Sequence, residues 1–277
     1  MTGQAALPGL GCEADARALE TDTAARSDDP TPRGVIRAVL EAWRGYITAS
    51  LERAVLGLAS KPVRGLASKP VRVLDVCAGY GAWASEMRRL AGRQGWPVHI
   101  TGVEIFEARR PELRKWCDEV IIRDWFDALR DHHTLPEYDI AIGNPHFPAL
   151  TGALTPGDDF GEFEPSMPEW LLEHAPAVLL LHTQQAFSRG AAGRAAWRRC
   201  PPAACWLVPG AVGFRGPGEG TDARCYQVSL WLRGHTGPTS THLLPELDAE
   251  ARRWRVPPGS EEPSADLRAA PGWTPQT

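Results

Sequence analysis

Between Val71 and Leu232, short apolar runs alternate with segments of helical period, and this alternation restricts the chain to one broad architecture. Strands are expected at 71–76, 98–104, 119–123, 138–143, 177–182, 204–208 and 223–232. Helices are expected at 82–92, 109–117, 125–131, 167–174 and 188–199, with a long loop over 146–165. Two parallel strands need a crossover between them, so the pattern predicts an α/β fold: a mostly parallel sheet with helices on both faces. The last two strands depart from it. Only the glycine-rich stretch GPGEGTD (216–222) and no helix lies between them, so the seven-stranded sheet is expected to finish in an antiparallel hairpin.

Ahead of the first strand, residues 31–57 place Val35, Val39, Leu40, Trp43 and Ile47 on one helical face, with Thr31 as N-cap and Pro32 at the first helical position. The octapeptide GLASKPVR then occurs twice in succession, at 57–64 and 65–72, which reads as a lengthened linker. Residues 1–28 form a weakly periodic, flexible N-terminus, and from 234 to 277 the chain is a Pro/Gly-rich tail with one short helix expected at 245–254. One domain, 29–233, therefore carries the machinery.

Composition narrows the function classes. With 43% hydrophobic residues in 277 the chain can bury a substantial core, yet no apolar stretch approaches the roughly 20 residues of a membrane helix. A cytoplasmic protein without membrane contact is expected. The six cysteines (Cys12, Cys77, Cys117, Cys200, Cys205, Cys225) show neither a C-x-x-C pair nor matching histidines, so no metal site is expected. A net charge of −4 gives no global attraction to nucleic acid, which leaves any such binding to a local patch.

The chemistry-bearing residues fall at strand ends, where open α/β sheets bind ligands. Gly79 and Gly81 follow the first strand and open a helix, so the backbone can approach a ligand closely. These glycines with Ala84 also fit a dinucleotide loop. Asp75, ahead of them, suits a cationic amine and would repel a pyrophosphate. Glu104 ends the second strand, where a carboxylate can take ribose hydroxyls; Asp124 and Trp125 end the third, where an acid can accept from an adenine amine beneath an aromatic cover. The fourth strand ends in Asn144-Pro145-His146-Phe147.

Asp75 with its glycine loop, Glu104, Asp124-Trp125 and this tetrapeptide together resemble the S-adenosylmethionine-dependent methyltransferases. More narrowly, the chain is similar to amino-methyltransferases whose fourth strand ends in (Asp/Asn)-Pro-Pro-(Tyr/Phe), with His146 in place of the second proline. The order of upstream helix, cofactor loop and tetrapeptide, with VGFRGPGEGTDARCYQVSLWL (212–232), resembles phage and prophage adenine-N6 DNA methyltransferase-like proteins. The resemblance implies a Rossmann-like class I fold, S-adenosylmethionine as cofactor and S-adenosylhomocysteine as product. It places Thr31 near the methionine end of the cofactor and adds Cys77 and Ile105 to the cofactor set, with Asp75, Gly79, Gly81, Glu104, Asp124, Trp125 and Asn144.

The same resemblance assigns catalysis to Asn144, Pro145 and Phe147. If the Asn144 side-chain oxygen and the Pro145 carbonyl each accept one N–H, an amine is drawn toward sp³ geometry with its lone pair on the methyl. Phe147 can stack on a base, His146 contributes its backbone, and Arg189 and Arg215 are candidate phosphate contacts. Arg194, Arg198, Arg199 and Arg224 could extend that phosphate face, although a solvated helix face explains Arg189, Arg194, Arg198 and Arg199 about equally well. DNA is the expected partner, with a further subunit available for target recognition. Against it stands GDDFGEFEPSMPE (157–169), whose five acids would repel a phosphate backbone; the alternative enzyme is an RNA or protein-glutamine N-methyltransferase, the glutamine amide offering the same NH₂ to two acceptors. A cofactor-binding protein without transfer activity is the alternative from another class.

Overall fold

The computed structural model describes residues 31–56, 70–125, 127, 136–145, 166–188, 190–210, 212 and 225–247. Outside them lie the expected N-terminal segment 1–28, residues 57–69 of the duplicated linker, the loop 146–165 and nearly all of the helices expected at 125–131 and 245–254. In chain order the elements are α1 (Arg33–Leu56), β1 (Val71–Val76), α2 (Ala82–Gln94), β2 (Val98–Glu104), a 3₁₀ turn (Glu107–Arg109), α3 (Arg110–Leu113), β3 (Glu119–Ile122) and β4 (Ile140–Gly143). They continue with α4 (Met167–His174), β5 (Ala177–Thr183), α5 (Gly190–Arg199), β6 (Ala204–Leu207), β7 (Tyr226–Leu232) and β8 (Ser240–Leu243).

The strands form one mixed sheet in the order β3-β2-β1-β4-β5-β7-β6-β8. From β3 to β5 every pairing is parallel, and β7 runs antiparallel to both β5 and β6, which matches the antiparallel finish expected of the last two strands. The sheet has one strand more than the seven expected. β8 pairs parallel with β6, Ala204 opposite Ser240 through Leu207 opposite Leu243, so the sheet runs past residue 233. Its four residues alternate between exposed and half-buried, which leaves no apolar run to mark the strand in the sequence.

Both faces of the sheet are covered, which explains why its central strands are apolar throughout rather than alternating. On one face Val73, Ile100, Ile140, Ile142, Leu179 and Leu181 pack in a single cluster with Val35, Ile36, Val39, Leu40 and Trp43 of α1 and with Trp83, Met87 and Leu90 of α2. On the other, Leu74, Val76, Ala141, Val178 and Leu180 meet Met167 and Leu171 of α4, Ala196 of α5 and Phe187. Each large side chain fully buried this way contributes roughly 1.5–3 kcal/mol.

The helix expected at 109–117 is shorter than its sequence pattern. The amides of both Trp116 and Cys117 close on the Leu113 carbonyl, which ends the helix after a turn. Arg88, buried on α2, takes the Trp116 carbonyl and pairs with Asp118 at 2.7 Å, so the chain is drawn into β3. Among the described residues no helix is long and apolar enough to cross a membrane.

Candidate active site

The strand order reverses direction at β1, with β2 on one side and β4 on the other. In an open parallel sheet this switch point forms a crevice at the carboxyl ends of the strands. Asp75, Glu104 and Asn144 all sit there, because Val76 lies opposite Val103 of β2 and opposite Gly143 of β4. Gly143 makes that register possible: a Cβ on it would stand 2.3 Å from the Val76 carbonyl oxygen.

Past β1 the chain turns through three left-handed residues, Cys77 (φ 54), Gly79 (φ 57) and Gly81 (φ 76). The glycines adopt this conformation without cost; Cys77 does so against a penalty of roughly 1–2 kcal/mol. Gly81 closes the turn by donating to the Ala78 carbonyl at 2.8 Å and leads into α2. Its own Cβ would stand 2.9 Å from the Trp116 ring, so no other residue fits.

Asp75 is fully buried. Its Oδ2 accepts the Ala84 amide of α2 at 3.0 Å, while its Oδ1 has no hydrogen-bond partner. Burial pushes the carboxyl well above the usual carboxylate range; the Ala84 N–H pulls it down, and nearby Glu104 adds to the rise. A cationic group beside Oδ1 would offset that cost.

Glu104, also buried, is held on all sides. Its Oε2 accepts the Gly79 amide at 2.8 Å; its Oε1 accepts the amides of Ile105 (3.0 Å) and Phe106 (3.1 Å) and lies 3.3 Å from Arg109 Nη1. Spare acceptor capacity remains on Oε2, since an ionised carboxylate oxygen can accept about two donors. Arg109 is a residue that sequence reasoning missed. It is 6% exposed and sandwiched between the rings of Tyr80 (5.0 Å) and Phe106 (4.8 Å). Its only sequence signal is a cation five positions after the strand-end acid.

Ile105 turns outward and is 55% exposed, a large aliphatic face beside Glu104. Asp124 and Trp125 are half-buried just past β3, and Trp125, like Ile121, packs against the core cluster that contains Val103. Asn144 and Pro145 follow β4. The Asn144 Nδ2 donates to Thr31 Oγ1 at 2.9 Å, and its buried Oδ1 has no partner. Thr31, itself buried, precedes α1, so this bond joins residues 113 apart in sequence.

The structure thus gathers Thr31, Asp75, Cys77, Gly79, Gly81, Glu104, Ile105, Asp124, Trp125, Asn144 and Pro145 at one edge of the sheet. His146, Phe147, Arg189, Arg215 and Arg224 lie outside the described residues. Arg194 and Arg198 are exposed on α5, whereas Arg199 is committed to Glu169, with Nε on Oε1 and Nη2 on Oε2, each at 2.9 Å. Glu169 also accepts the Ser166 amide at 2.6 Å ahead of α4. The last acid of the 157–169 run is therefore a structural one. Among the described residues no cluster of histidine, cysteine and acid could hold a metal ion.

No family model matches the sequence, and no curated protein matches it. Solved structures do. A protein of Listeria monocytogenes assigned to the class I S-adenosylmethionine-dependent methyltransferases superposes with a TM-score of 0.50 at 12% identity, covering 82% of this chain and 69% of that one. A protein of Vibrio vulnificus assigned as the modification subunit of a type I restriction enzyme gives the same TM-score at 14% identity. It covers 90% of this chain, which spans 54% of that one. At these identities the likeness is one of fold, and the Rossmann-like α/β architecture is shared.

Proposed function

We propose that this chain is an S-adenosylmethionine-dependent methyltransferase acting on an exocyclic amino nitrogen, adenine N6 in DNA. One observation carries the reading: the Asn144 carboxamide commits its nitrogen to Thr31 and keeps its buried oxygen unpartnered, beside Pro145 at the carboxyl edge of β4. A buried acceptor without a donor is costly, and a ligand amine would satisfy it.

The residues present fit the cofactor. The orphaned Asp75 Oδ1 suits the ammonium of an amino acid, and Glu104 Oε2 can accept from a ribose hydroxyl. Ile105 and Trp125 offer apolar faces for adenine, Asp124 an acceptor for its amine, and the turn at Cys77, Gly79 and Gly81 lets the backbone come close. When bound, S-adenosylmethionine supplies an electrophilic methyl group on a sulfonium.

The rest is the work of the chain. Asn144 Oδ1 and the Pro145 carbonyl each accept one N–H, which localises the nitrogen lone pair and aims it. Preorganised acceptors of this kind are worth on the order of 10²–10³ in rate. An adenine must leave its duplex to reach them; Phe147 would stack on it, His146 would lend its backbone, and Arg189 and Arg215 would hold phosphates. The reading also places the enzyme in the cytoplasm and gives target recognition to a partner subunit, as the modification-subunit neighbour suggests.

The acids of 157–164 favour a second acceptor, the amide nitrogen of a protein glutamine, which the same two acceptors can hold. Tritium transfer from labelled cofactor into DNA, RNA and protein fractions decides. Label recovered as N6-methyladenine in DNA is the expected result. Label in protein alone would replace adenine with glutamine, and labelled RNA alone would move the substrate to RNA. Cofactor binding without label in any fraction would make the chain a silent binding protein.

A further inference from the structure

We infer that Arg109 is a positioning residue for the ribose end of the site: its guanidinium, paired with Glu104 and gripped between Tyr80 and Phe106, holds that carboxylate in the orientation that leaves Oε2 toward the ligand. The inference rests on the proposed role of Glu104 Oε2 as acceptor of a ribose hydroxyl. A buried carboxylate is costly unless its charge is offset and its oxygens are hydrogen-bonded. Backbone amides supply the hydrogen bonds but no net charge. Arg109 supplies the charge, because a guanidinium stays protonated and can only donate.

The grip follows from the chemistry of that group. A guanidinium donates along its edge and stacks on its faces, so rings packed on it fix its plane and aim its edge. The Arg109 Cζ lies 5.0 Å from the Tyr80 ring and 4.8 Å from the Phe106 ring, while Nη1 stands 3.3 Å from Glu104 Oε1. Each ring also belongs to a segment whose backbone holds the same carboxylate. Tyr80 follows Gly79, whose amide donates to Oε2 at 2.8 Å; Phe106 itself donates to Oε1 at 3.1 Å, beside Ile105 at 3.0 Å. The turn after β1 and the segment after β2 are thus tied twice, through Glu104 and through Arg109. With these donors crowded on Oε1 and the Gly79 amide on Oε2, the room for a hydroxyl is at Oε2. Without Arg109 the two rings lose their common partner, and the amides that aim Glu104 lose their spacing.

The test compares two ligands that differ only at the ribose: S-adenosylhomocysteine and its analogue lacking both ribose hydroxyls. The full chain and its Arg109→Met, Arg109→Lys, Glu104→Gln and Arg109→Met/Glu104→Gln variants are titrated with both by calorimetry, once a cooperative melting transition shows each to be folded. In the parent, S-adenosylhomocysteine should bind at least about tenfold tighter than the analogue, as a hydrogen bond to a charged group allows. In Arg109→Met that preference should shrink to about threefold or less, even where both affinities also fall. Arg109→Lys keeps the charge without the flat face and should lie between, which carries the test if Arg109→Met does not fold. Glu104→Gln should weaken the preference to a similar extent, and adding Arg109→Met to it should change the preference no further. A parent-like preference in either Arg109 variant overturns the inference, because Arg109 would then serve the fold alone; so does a further loss of preference in the double variant. A parent that binds both compounds equally removes the ribose role of Glu104 and the inference with it, whereas a parent that binds neither overturns the proposed function itself.

Discussion

Asp75 is fully buried, and burial holds its carboxyl well above the usual carboxylate range. Its folded value is raised, so its contribution to stability is full below the unfolded carboxylate value near 3.9 and is lost as pH rises through the folded value. Removing the charge should remove that loss. We expect Asp75→Asn without ligand to melt no lower than the parent at pH 7, while the stabilisation by S-adenosylhomocysteine shrinks. Melting curves at pH 5 and pH 7 with and without the ligand check this; a variant that binds the ligand as tightly as the parent contradicts it. Asn144→Ala should behave in the opposite sense. It leaves Asp75, Glu104 and the glycine turn in place, so cofactor affinity should fall only modestly, while single-turnover methyl transfer falls by on the order of 10²–10³.

Two element-scale features have no counterpart in the reacting groups. At the end of β4, Gly143 lies against the Val76 carbonyl of β1, and Gly143→Ala must push the two strands apart. Overpacking of this kind costs about 1–3 kcal/mol, to be read from urea unfolding, and it should displace Asn144 and lower transfer as well. The second feature joins β5 and β7. His182 is buried with Nδ1 2.8 Å from the Thr183 carbonyl and Nε2 2.8 Å from Ser229 Oγ. A carbonyl only accepts, so Nδ1 carries the proton and Nε2 accepts from Ser229, whose oxygen accepts in turn from Gln227 Nε2 at 3.1 Å. Burial lowers the imidazole to about 4, against the smaller opposing effect of the Thr183 carbonyl. A lowered folded value means stability that is full above about 6.5 and lost as pH falls toward about 4. The melting temperature should drop across that window by more in the parent than in His182→Gln; equal slopes would show that His182 does not drive it.

At the scale of the whole molecule, the parallel sheet with its antiparallel finish was legible because both faces are buried, and continuous apolar strands stand out against helical spacing. β8 was not, since its alternating, partly exposed residues lie in a Pro/Gly-rich stretch. The acids Asp75 and Glu104 were legible from their place after apolar runs. Arg109 and the Thr31 to Asn144 bond were not: each needs a tertiary contact, one through a 3₁₀ turn and one across 113 residues. The claim on which everything else depends is the identity of the cofactor, and the glycine turn alone does not decide it. Thermal unfolding of the full chain decides it most directly, because a ligand that binds only the folded state stabilises by mass action. At a hundred times its dissociation constant, S-adenosylhomocysteine should contribute about 2.7 kcal/mol and raise the melting temperature by roughly 5–11 °C, with NADH leaving it unchanged. A rise with NADH and none with S-adenosylhomocysteine would contradict the account.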